Sequence, residues 1–315
     1  MSKELLKQRL EASNDYVWTL YFINARKQRN AGLLYESAKI RFRSNDYLMS
    51  YARQLISCVL QFNVEPISSV EEYDGFNTKV SCDKLSVESD LLDGGYANLI
   101  NSLENCGEAS PLKERYQGYI LDGRPNIDAN GSGITFIKMA NPMIDLNTKK
   151  AVMFKKAEDE TLDAIDEMFC RLYLVADSII IDGNLYNFNH AFEKLFNVEK
   201  TISKVKTAAI QKIVDAGFIE NSDEFSNHAQ SCNARTFVTL NDDRIETAKN
   251  TERRNSISET YHIPLGDEGG FKISSSEEAS TLIKYLCYKM FEEAETKDVL
   301  EASSVTKWST PPIAI

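Results

Sequence analysis

The sequence predicts an α+β protein, in which an N-terminal α+β domain is followed by a β-meander and a helical C-terminal domain. Hydrophobic residues make up 43% and charged residues 26% of the 315 residues, the usual mixture of a chain with a packed core. Aromatic and β-branched segments dominate up to about residue 190, and apolar residues at helical spacing dominate after it. Turn-forming residues are concentrated between 107 and 133, so the two domains are predicted at 1–110 and 111–315.

The first domain is predicted to begin with a short helix and a β-hairpin. Residues 3–13 are charged and amphipathic, as expected of a helix. Residues 16–24 and 33–43 contain the aromatic and β-branched side chains that are typical of strands. Asn30 and Gly32 lie between these strands and accept the backbone angles of a turn. The result is a hairpin with a basic tip.

The rest of the first domain is predicted to contain two further helices and a strand pair. Residues 46–62 repeat apolar side chains at helical spacing and should bury them in the core. The members of this stripe are Leu48, Tyr51, Leu55, Val59 and Phe62. Residues 64–88 indicate two strands interrupted by Asp74-Gly75, and residues 90–104 indicate a helix.

The second domain is predicted to open with a meander of short strands. The predicted strands cover residues 134–139, 151–154, 168–175, 178–182 and 185–188. Asp182-Gly183-Asn184 separates the last two strands. This triplet favours a tight hairpin, because Asp and Gly accept the positive φ angles that such a turn requires.

The C-terminal part is predicted to be helical. Apolar residues recur at helical spacing within 192–196 and 202–213, and Gly217 is placed to end the second of these helices. Residues 222–262 are polar and are predicted to form helices in pieces. Residues 276–293 have the strongest helical pattern, and their acidic start suits the helix dipole.

Charge is distributed unevenly along the chain. The whole chain has 36 basic and 47 acidic residues and a net charge of −11, which opposes non-specific adhesion to nucleic acid. Residues 1–60 nevertheless contain 10 basic and 5 acidic residues, a local charge of +5. Residues 61–130 contain 5 basic and 13 acidic residues. Basic character is therefore concentrated at the start of the chain.

Six basic residues of the predicted hairpin form the main candidate for a phosphate-binding surface. They are Arg26, Lys27 and Arg29 at the tip, and Lys39, Arg41 and Arg43 on the second strand. Because side chains alternate along a strand, the last three should share one face, opposite Ile40 and Phe42. A polyanion on that face would remove their mutual repulsion and release counterions. The alternative is a solvated edge strand that uses these charges to prevent aggregation.

A second basic set flanks the strand predicted at 151–154. It consists of Lys149, Lys150, Lys155 and Lys156. These lysines could join the arginine face in one groove, or they could form a solvated rim.

Catalytic, metal and cofactor motifs are absent from the sequence. It contains no Walker A motif, no GxGxxG after a strand, no HExxH and no GxSxG. Its six cysteines form no CxxC pair and it has three histidines, so no zinc site, catalytic residue or cofactor is predicted. The enzymatic alternative is a Mg²⁺-dependent nuclease that uses the acidic clusters at 71–74 and 158–167, or Glu295-Thr296-Lys297.

No run of 18 apolar residues occurs, and the charged N-terminal stretch lacks the apolar centre of a signal peptide. We therefore expect a cytoplasmic protein.

Residues 177–196 combine the Asp182-Gly183 turn with Phe192-Glu193 and Phe196. This stretch resembles the KwaB family of bacterial proteins, in which a β-hairpin leads into a Phe-Glu helix start. KwaB is the soluble component of the two-gene Kiwa anti-phage defence system. The length of the chain and the order of its predicted elements are also similar to those of this family.

The resemblance implies a DNA-binding defence protein that holds invading duplex DNA and hinders its replication or transcription. It also implies a partner, the small multi-pass membrane protein KwaA, and a peripheral location at the inner membrane through that partner. The acidic total leaves two possibilities, a segregated basic groove or a surface completed in a homodimer or higher oligomer. An adaptor that docks on a membrane protein or on anionic lipid is the non-enzymatic alternative.

Overall fold

The computed structural model describes residues 2–28, 32–75, 81–106, 116–125, 133–145, 154–156, 162–164, 168–293 and 295–302. The chain divides into two compact units. The first unit comprises residues 1–72 and 78–198, and the second comprises residues 73–77 and 199–315.

Eight of the described strands form one sheet in the first unit, in the order β2-β1-β5-β6-β11-β12-β4-β3. The helices of this unit are α1 (Lys3–Glu11), α2 (Asn45–Val59), α3 (Gly95–Glu104) and α4 (Ala191–Phe196). Its strands are β1 (Val17–Gln28), β2 (Gly32–Ile40), β3 (Ser69–Glu72), β4 (Ser81–Ser86), β5 (Gly118–Arg124), β6 (Ile134–Lys138), β7 (Met143–Asp145), β8 (Phe154–Lys156), β9 (Leu162–Ala164), β10 (Met168–Cys170), β11 (Ser178–Ile181) and β12 (Asn184–Asn187). Neighbours in the sheet pair antiparallel except β3 and β4, which are parallel.

The core of the first unit lies against one face of this sheet. Trp18, Leu20 and Phe22 alternate along β1 and are buried in one cluster with the apolar stripe of α2. Strand alternation at period two and helix repetition at three to four residues bring these two apolar faces together. The predicted hairpin, helix and core are confirmed here.

The end of α2 differs from the predicted stripe at Phe62. This side chain is 58% exposed, whereas Val64 is fully buried. Residues 60–64 form a π-helical turn, and its wider turn shifts the side chains that follow relative to the α-helical stripe. The prediction that Phe62 belongs to the core is therefore wrong, and Val64 takes its place.

The outer edge of β2 is covered by side chains of α3 and by Cys106, two residues beyond the end of this helix. Asn98 Nδ2 donates to the Leu33 carbonyl at 3.2 Å, and Ser102 Oγ donates to the Tyr35 carbonyl at 2.9 Å. The Cys106 thiol continues the row on the Ser37 carbonyl at 3.1 Å. Four helical residues rise about 6 Å and two strand residues about 6.6 Å, so the two rows stay in register.

The hairpin predicted at Asp182-Gly183 is confirmed. Ile181 pairs with Asn184, which leaves two residues in the loop, and their φ angles are +50° and +71°. Two positive φ angles are those of a type I′ turn. This turn joins β11 to β12.

The predicted meander is shorter than expected. Strands β5, β6, β11 and β12 lie side by side in the sheet, but β8 pairs with β9 and β10 pairs with β7 in separate two-stranded ladders. β10 ends at Cys170 rather than at residue 175, and residues 151–153 lie outside the described residues.

The second unit is mainly helical. It contains α5 (Val198–Asp215) from its second residue, α6 (Ser222–Ser231), α7 (Asp242–Lys249), α8 (Thr251–Tyr261), α9 (Ser276–Leu286), β13 (Met290–Glu292) and β14 (Val299–Glu301). Ser275 caps α9, and Ala279, Leu282 and Ile283 are buried on one side of it. The helix predicted to reach residue 293 ends at Leu286, because Tyr288 adopts a φ of +55° that no right-handed helix accommodates.

The boundary predicted at residues 110–111 lies outside the described residues. That the chain folds as two domains, 1–110 and 111–315, stays a prediction. The compact units are divided elsewhere, at residue 198 and around residues 73–77. Pairing of β1 with β5 and of β12 with β4 joins strands from both sides of residue 110 in one sheet. Backbone hydrogen bonds between distant strands cause no change in amino-acid composition, so the sequence did not indicate them.

Buried tyrosines predict a loss of stability at alkaline pH. Burial raises the pKa of Tyr119 and Tyr186 to about 12, from an ordinary value of 10. The unfolded chain loses these protons first as the pH rises. The free energy of unfolding should therefore fall between pH 10 and 12, by at least about 1 kcal/mol per tyrosine. Urea denaturation across this range measures it. The double replacement Tyr119→Phe with Tyr186→Phe should make the profile less steep without abolishing the fall, because burial also raises the pKa of Tyr35 and Tyr51. An equally steep profile would contradict the assignment.

Candidate nucleic-acid interface

A groove lies at the end of the sheet where β6 ends and β11 begins. It is made of two adjoining cavities of about 500 Å³ each, which share Met139 and Lys194. We call it the sheet-end groove and define it by six residues of its lining, Leu33, Lys138, Met139, Tyr173, His190 and Lys194.

Asp177 holds the floor of the sheet-end groove. This carboxylate is 5% exposed and lies just before β11. It accepts hydrogen bonds from Lys138 Nζ and from the Met139 backbone N–H, both at 2.7 Å, and from Asn189 Nδ2 at 2.8 Å. A buried carboxylate is stable when several donors surround it. The three bonds fix the end of β6 against the segment that leads into α4.

Tyr173 is the aromatic residue of the groove, and two cations lie beside its ring. Lys138 Nζ is 5.5 Å and Arg171 Cζ is 4.9 Å from the ring centroid, which are cation–π distances. Two tyrosine hydroxyls donate to the Tyr173 carbonyl, Tyr51 at 2.8 Å and Tyr119 at 3.2 Å. The backbone of Tyr173 is therefore held to α2 and β5 while its side chain lines the groove.

The start of α4 supplies the remaining polar groups. His190 Nδ1 lies 2.6 Å from Glu193 Oε1, and the Glu193 carboxylate is buried. The Tyr35 hydroxyl donates to the Leu195 carbonyl at 2.9 Å, which attaches α4 to β2. These contacts place Lys194 at the junction of the two cavities.

The hairpin tip predicted from the sequence lies next to this groove. Gln117 Oε1 accepts from the Ala25 N–H at 2.9 Å, and its Nε2 donates to the Ala25 carbonyl at 3.1 Å. Lys27 pairs with Leu33, a residue of the groove lining. Arg26 Nη1 is 2.9 Å from Glu36 Oε1, so its charge is paired. Arg29 lies outside the described residues.

Lys39, Arg41 and Arg43 lie at the other end of the β1–β2 ladder. All three are exposed, while Ile40 and Phe42 pack against the core, as the predicted alternation requires. β2 ends at Ile40, so the prediction of one strand through residue 43 is wrong. The chain must leave the sheet there to enter α2, whose cap is Ser44. Six residues of strand, about 20 Å, separate Lys39 from Leu33.

The second predicted basic set is described only in part. Lys149 and Lys150 lie outside the described residues. Lys155 and Lys156 are on β8, which pairs with β9 rather than with the large sheet, and Lys155 is opposite Asp163.

Sequence reasoning missed Lys138, Arg171 and Lys194. Each is a single basic residue without basic neighbours in its segment, and the three are spread between β6 and α4. Their proximity depends on the pairing of β6 with β11 and on the contacts of Asp177. A local count of charge could not find them. The one available signal was the Asp177 to Phe196 stretch, which contains the anchor and the start of α4.

Of the acidic residues predicted for a nuclease, those at 158–160 and 166–167 lie outside the described residues. Among the residues that are described, no group of three or more His, Cys, Asp and Glu side chains is placed to hold a metal ion. Lys297 pairs with Glu292 at 3.0 Å. In the described part of the chain, no helix is both long enough and apolar enough to cross a membrane.

Comparison with known proteins identifies the family. The sequence profile of the family described as Kiwa protein KwaB-like matches residues 126–289, just over half of the chain. The chain belongs to the KwaB family. The matched region contains Lys138, Arg171, Tyr173 and Lys194, and the basic hairpin precedes it. No curated protein matches the sequence, and no solved structure matches it.

Proposed function

We propose that this member of the KwaB family binds duplex DNA through phosphate contacts, as an effector of Kiwa anti-phage defence. The observation that supports the proposal is the sheet-end groove, where Lys138, Tyr173 and Lys194 share the lining and Arg171 lies against the Tyr173 ring. Cationic side chains interleaved with an aromatic ring are typical of nucleic-acid surfaces. Bound DNA would be withheld from replication and transcription, and this requires no catalytic residue.

The charges of the groove are arranged for an external anion. Lys138 is neutralised by Asp177 at 2.7 Å. By contrast, none of the ion pairs among the described residues involves Arg171 or Lys194. Lys27 of the predicted basic hairpin is opposite Leu33 of the groove lining in the β1–β2 ladder. Segregated charge of this kind reconciles DNA binding with a net charge of −11.

Partners follow from the family. The Kiwa system includes KwaA, and we propose that this chain acts with a KwaA-like multi-pass membrane protein at the inner membrane. A homodimer or higher oligomer would place two grooves along one duplex. Their phosphate contacts would then add on a single DNA molecule.

The test is binding of the purified protein to a labelled duplex of arbitrary sequence across a salt series, in EDTA and in Mg²⁺. The expected result is a salt-sensitive mobility shift with intact strands, and little difference between sequences. The slope of log Kd against log salt estimates the number of phosphates contacted. Absence of binding at low salt, by the protein alone and with its membrane partner, would contradict the proposal. Strand cleavage only in Mg²⁺ would instead support a nuclease.

A further inference from the structure

Arg244 lies against two tyrosine rings in the second unit. Its Cζ lies 4.5 Å from the ring centroid of Tyr285 and 4.4 Å from that of Tyr288, which are cation–π distances. Tyr261, the last residue of α8, lies with its ring centroid 5.0 Å from that of Tyr285. Burial lowers the pKa of Arg244, but hydrogen bonding to the hydroxyls of Tyr285 and Tyr288 raises it overall. A guanidinium group has five N–H donors, so these two bonds do not exhaust them.

The position of Tyr288 is held by a strained backbone. Its φ is +55°, a conformation that a bulky residue rarely adopts. The flanking residues are fixed on both sides: Thr239 Oγ1 donates to the Cys287 carbonyl at 2.9 Å, and Lys289 Nζ donates to the buried Asp74 carboxylate. Strain that the surroundings maintain is a frequent feature of binding sites.

Arg244 has no acidic partner among the described residues, in which none of the ion pairs involves it. Two of the acidic groups near it along α7 are used elsewhere. Asp242 is 2.6 Å from Lys212, and Glu246 is 2.7 Å from Lys249. Tyrosine hydroxyls rather than a carboxylate support its charge, and an anionic ligand would compensate that charge more fully.

Two hydroxyl groups belong to the same cluster. Burial raises the pKa of Tyr261, so its hydroxyl keeps its proton near neutral pH and remains a donor. Glu292, the carboxylate that acts on Tyr261, is engaged by Lys297 at 3.0 Å and by Thr260 Oγ1 at 3.4 Å. The cluster therefore offers a fixed guanidinium edge and neutral donors.

We propose that Arg244, Tyr261 and Tyr288 form a site for a single phosphate group, such as the terminal phosphate of a nucleotide or of a nucleic-acid strand. Guanidinium matches two phosphate oxygens with parallel N–H donors, and the tyrosine hydroxyls can donate to the third. The site lies in the second unit and does not depend on the sheet-end groove, so it goes beyond the proposed duplex binding.

Inorganic phosphate is the first probe, followed through the Arg244 side-chain Nε–H resonance of the ¹⁵N-labelled full chain. The expected result is a saturable shift in the wild type. Arg244→Gln should abolish saturable binding, measured by calorimetry because this variant lacks the reporter resonance. Tyr288→Phe keeps the aromatic ring beside Arg244 and removes the hydroxyl, so it should weaken phosphate binding roughly tenfold. Unsaturable binding in the wild type, or unchanged affinity in Arg244→Gln, would overturn the proposal.

Two comparisons separate the sources of the phosphate and the two proposals. If the ligand is a strand end, a short 5′-phosphorylated oligonucleotide should shift the Arg244 resonance more strongly than the same strand with a 5′-hydroxyl. If the ligand is not a strand end, a mononucleotide should be sufficient to shift it. In a variant with Arg171→Glu and Lys194→Glu, phosphate should still bind at Arg244 although duplex binding is lost. Tyr288→Phe should melt within a few degrees of the wild type, which shows that the fold is kept.

Discussion

Replacing Arg171 and Lys194 together by glutamate is expected to lower the affinity for duplex DNA at least about 100-fold at low salt. Lys194 lines the sheet-end groove and Arg171 lies against its Tyr173 ring, and no described carboxylate neutralises either cation. Each contributes counterion release when it contacts a phosphate, and glutamate in its place repels the backbone. The slope of log Kd against log salt should also fall by about 2. Fluorescence anisotropy across a salt series measures both quantities.

A charge-matched control distinguishes a local effect from the change in net charge. Arg253→Glu with Lys272→Glu makes the same change at two exposed positions of the second unit. This control should change the affinity by less than about threefold, because neither residue belongs to the groove and screening limits the reach of exposed charges to about 10 Å. Equal losses in both double variants would show that net charge, rather than the groove, governs binding. Thermal melting should be similar in all of these proteins.

The exposed arginines at the other end of the β1–β2 ladder test the surface predicted from the sequence. Arg41→Glu with Arg43→Glu is expected to abolish binding if the basic hairpin surface holds DNA, with little change in melting temperature. Because these residues lie about 20 Å from the groove along the strand, the two double variants report on separate contacts. If only one of the two double variants loses DNA binding, the DNA contacts the surface that this variant changes.

Replacing Lys289 by methionine is expected to lower the free energy of unfolding by about 3–5 kcal/mol. The Lys289 ammonium and the Asp74 carboxylate form an ion pair in which both side chains are less than 10% exposed. Removal of the cation leaves a buried carboxylate without its main partner. The double replacement Asp74→Leu with Lys289→Met should recover most of the loss, because neither charge then remains buried. Urea denaturation measures each variant.

The exposed pair between Lys212 and Asp242 is the matched control. Its side chains are 52% and 71% exposed, so Lys212→Met should cost less than about 1 kcal/mol. A similar loss in Lys289→Met and Lys212→Met would contradict the view that burial makes the Asp74 pair important. The pair also anchors residues 73–75 within the second unit, where Arg235 Nη1 donates to the Gly75 carbonyl at 2.8 Å.

Local features of the fold were accessible from the sequence. The Asp182-Gly183 turn depends on two adjacent residues that accept positive φ, and the start of α9 depends on its cap and its apolar spacing. The exposure of Lys39, Arg41 and Arg43 against Ile40 and Phe42 depends on simple alternation. Each of these properties is decided by neighbours within a few residues.

Other features required contacts between distant residues. Phe62 was misplaced because a π-helical turn shifts the apolar stripe of α2, and α9 stops before residue 293 because Tyr288 turns the chain. The parallel pairing of β3 with β4 could not be predicted, since residues 73–77 between them belong to the second unit. No local pattern encodes such a detour.

The sequence by itself determined the α+β class, the basic hairpin and the resemblance that leads to the KwaB family. Short-range periodicity, turn chemistry and a contiguous motif are sufficient for these. Only the tertiary structure placed Lys138 and Arg171 beside the Tyr173 ring with Lys194 in the same groove, and only it placed Arg244 against Tyr285 and Tyr288. Both clusters form because strand pairing and buried anchors such as Asp177 and Lys289 join residues that are far apart in the chain, and the free energy that selects these pairings comes from burial of the whole core.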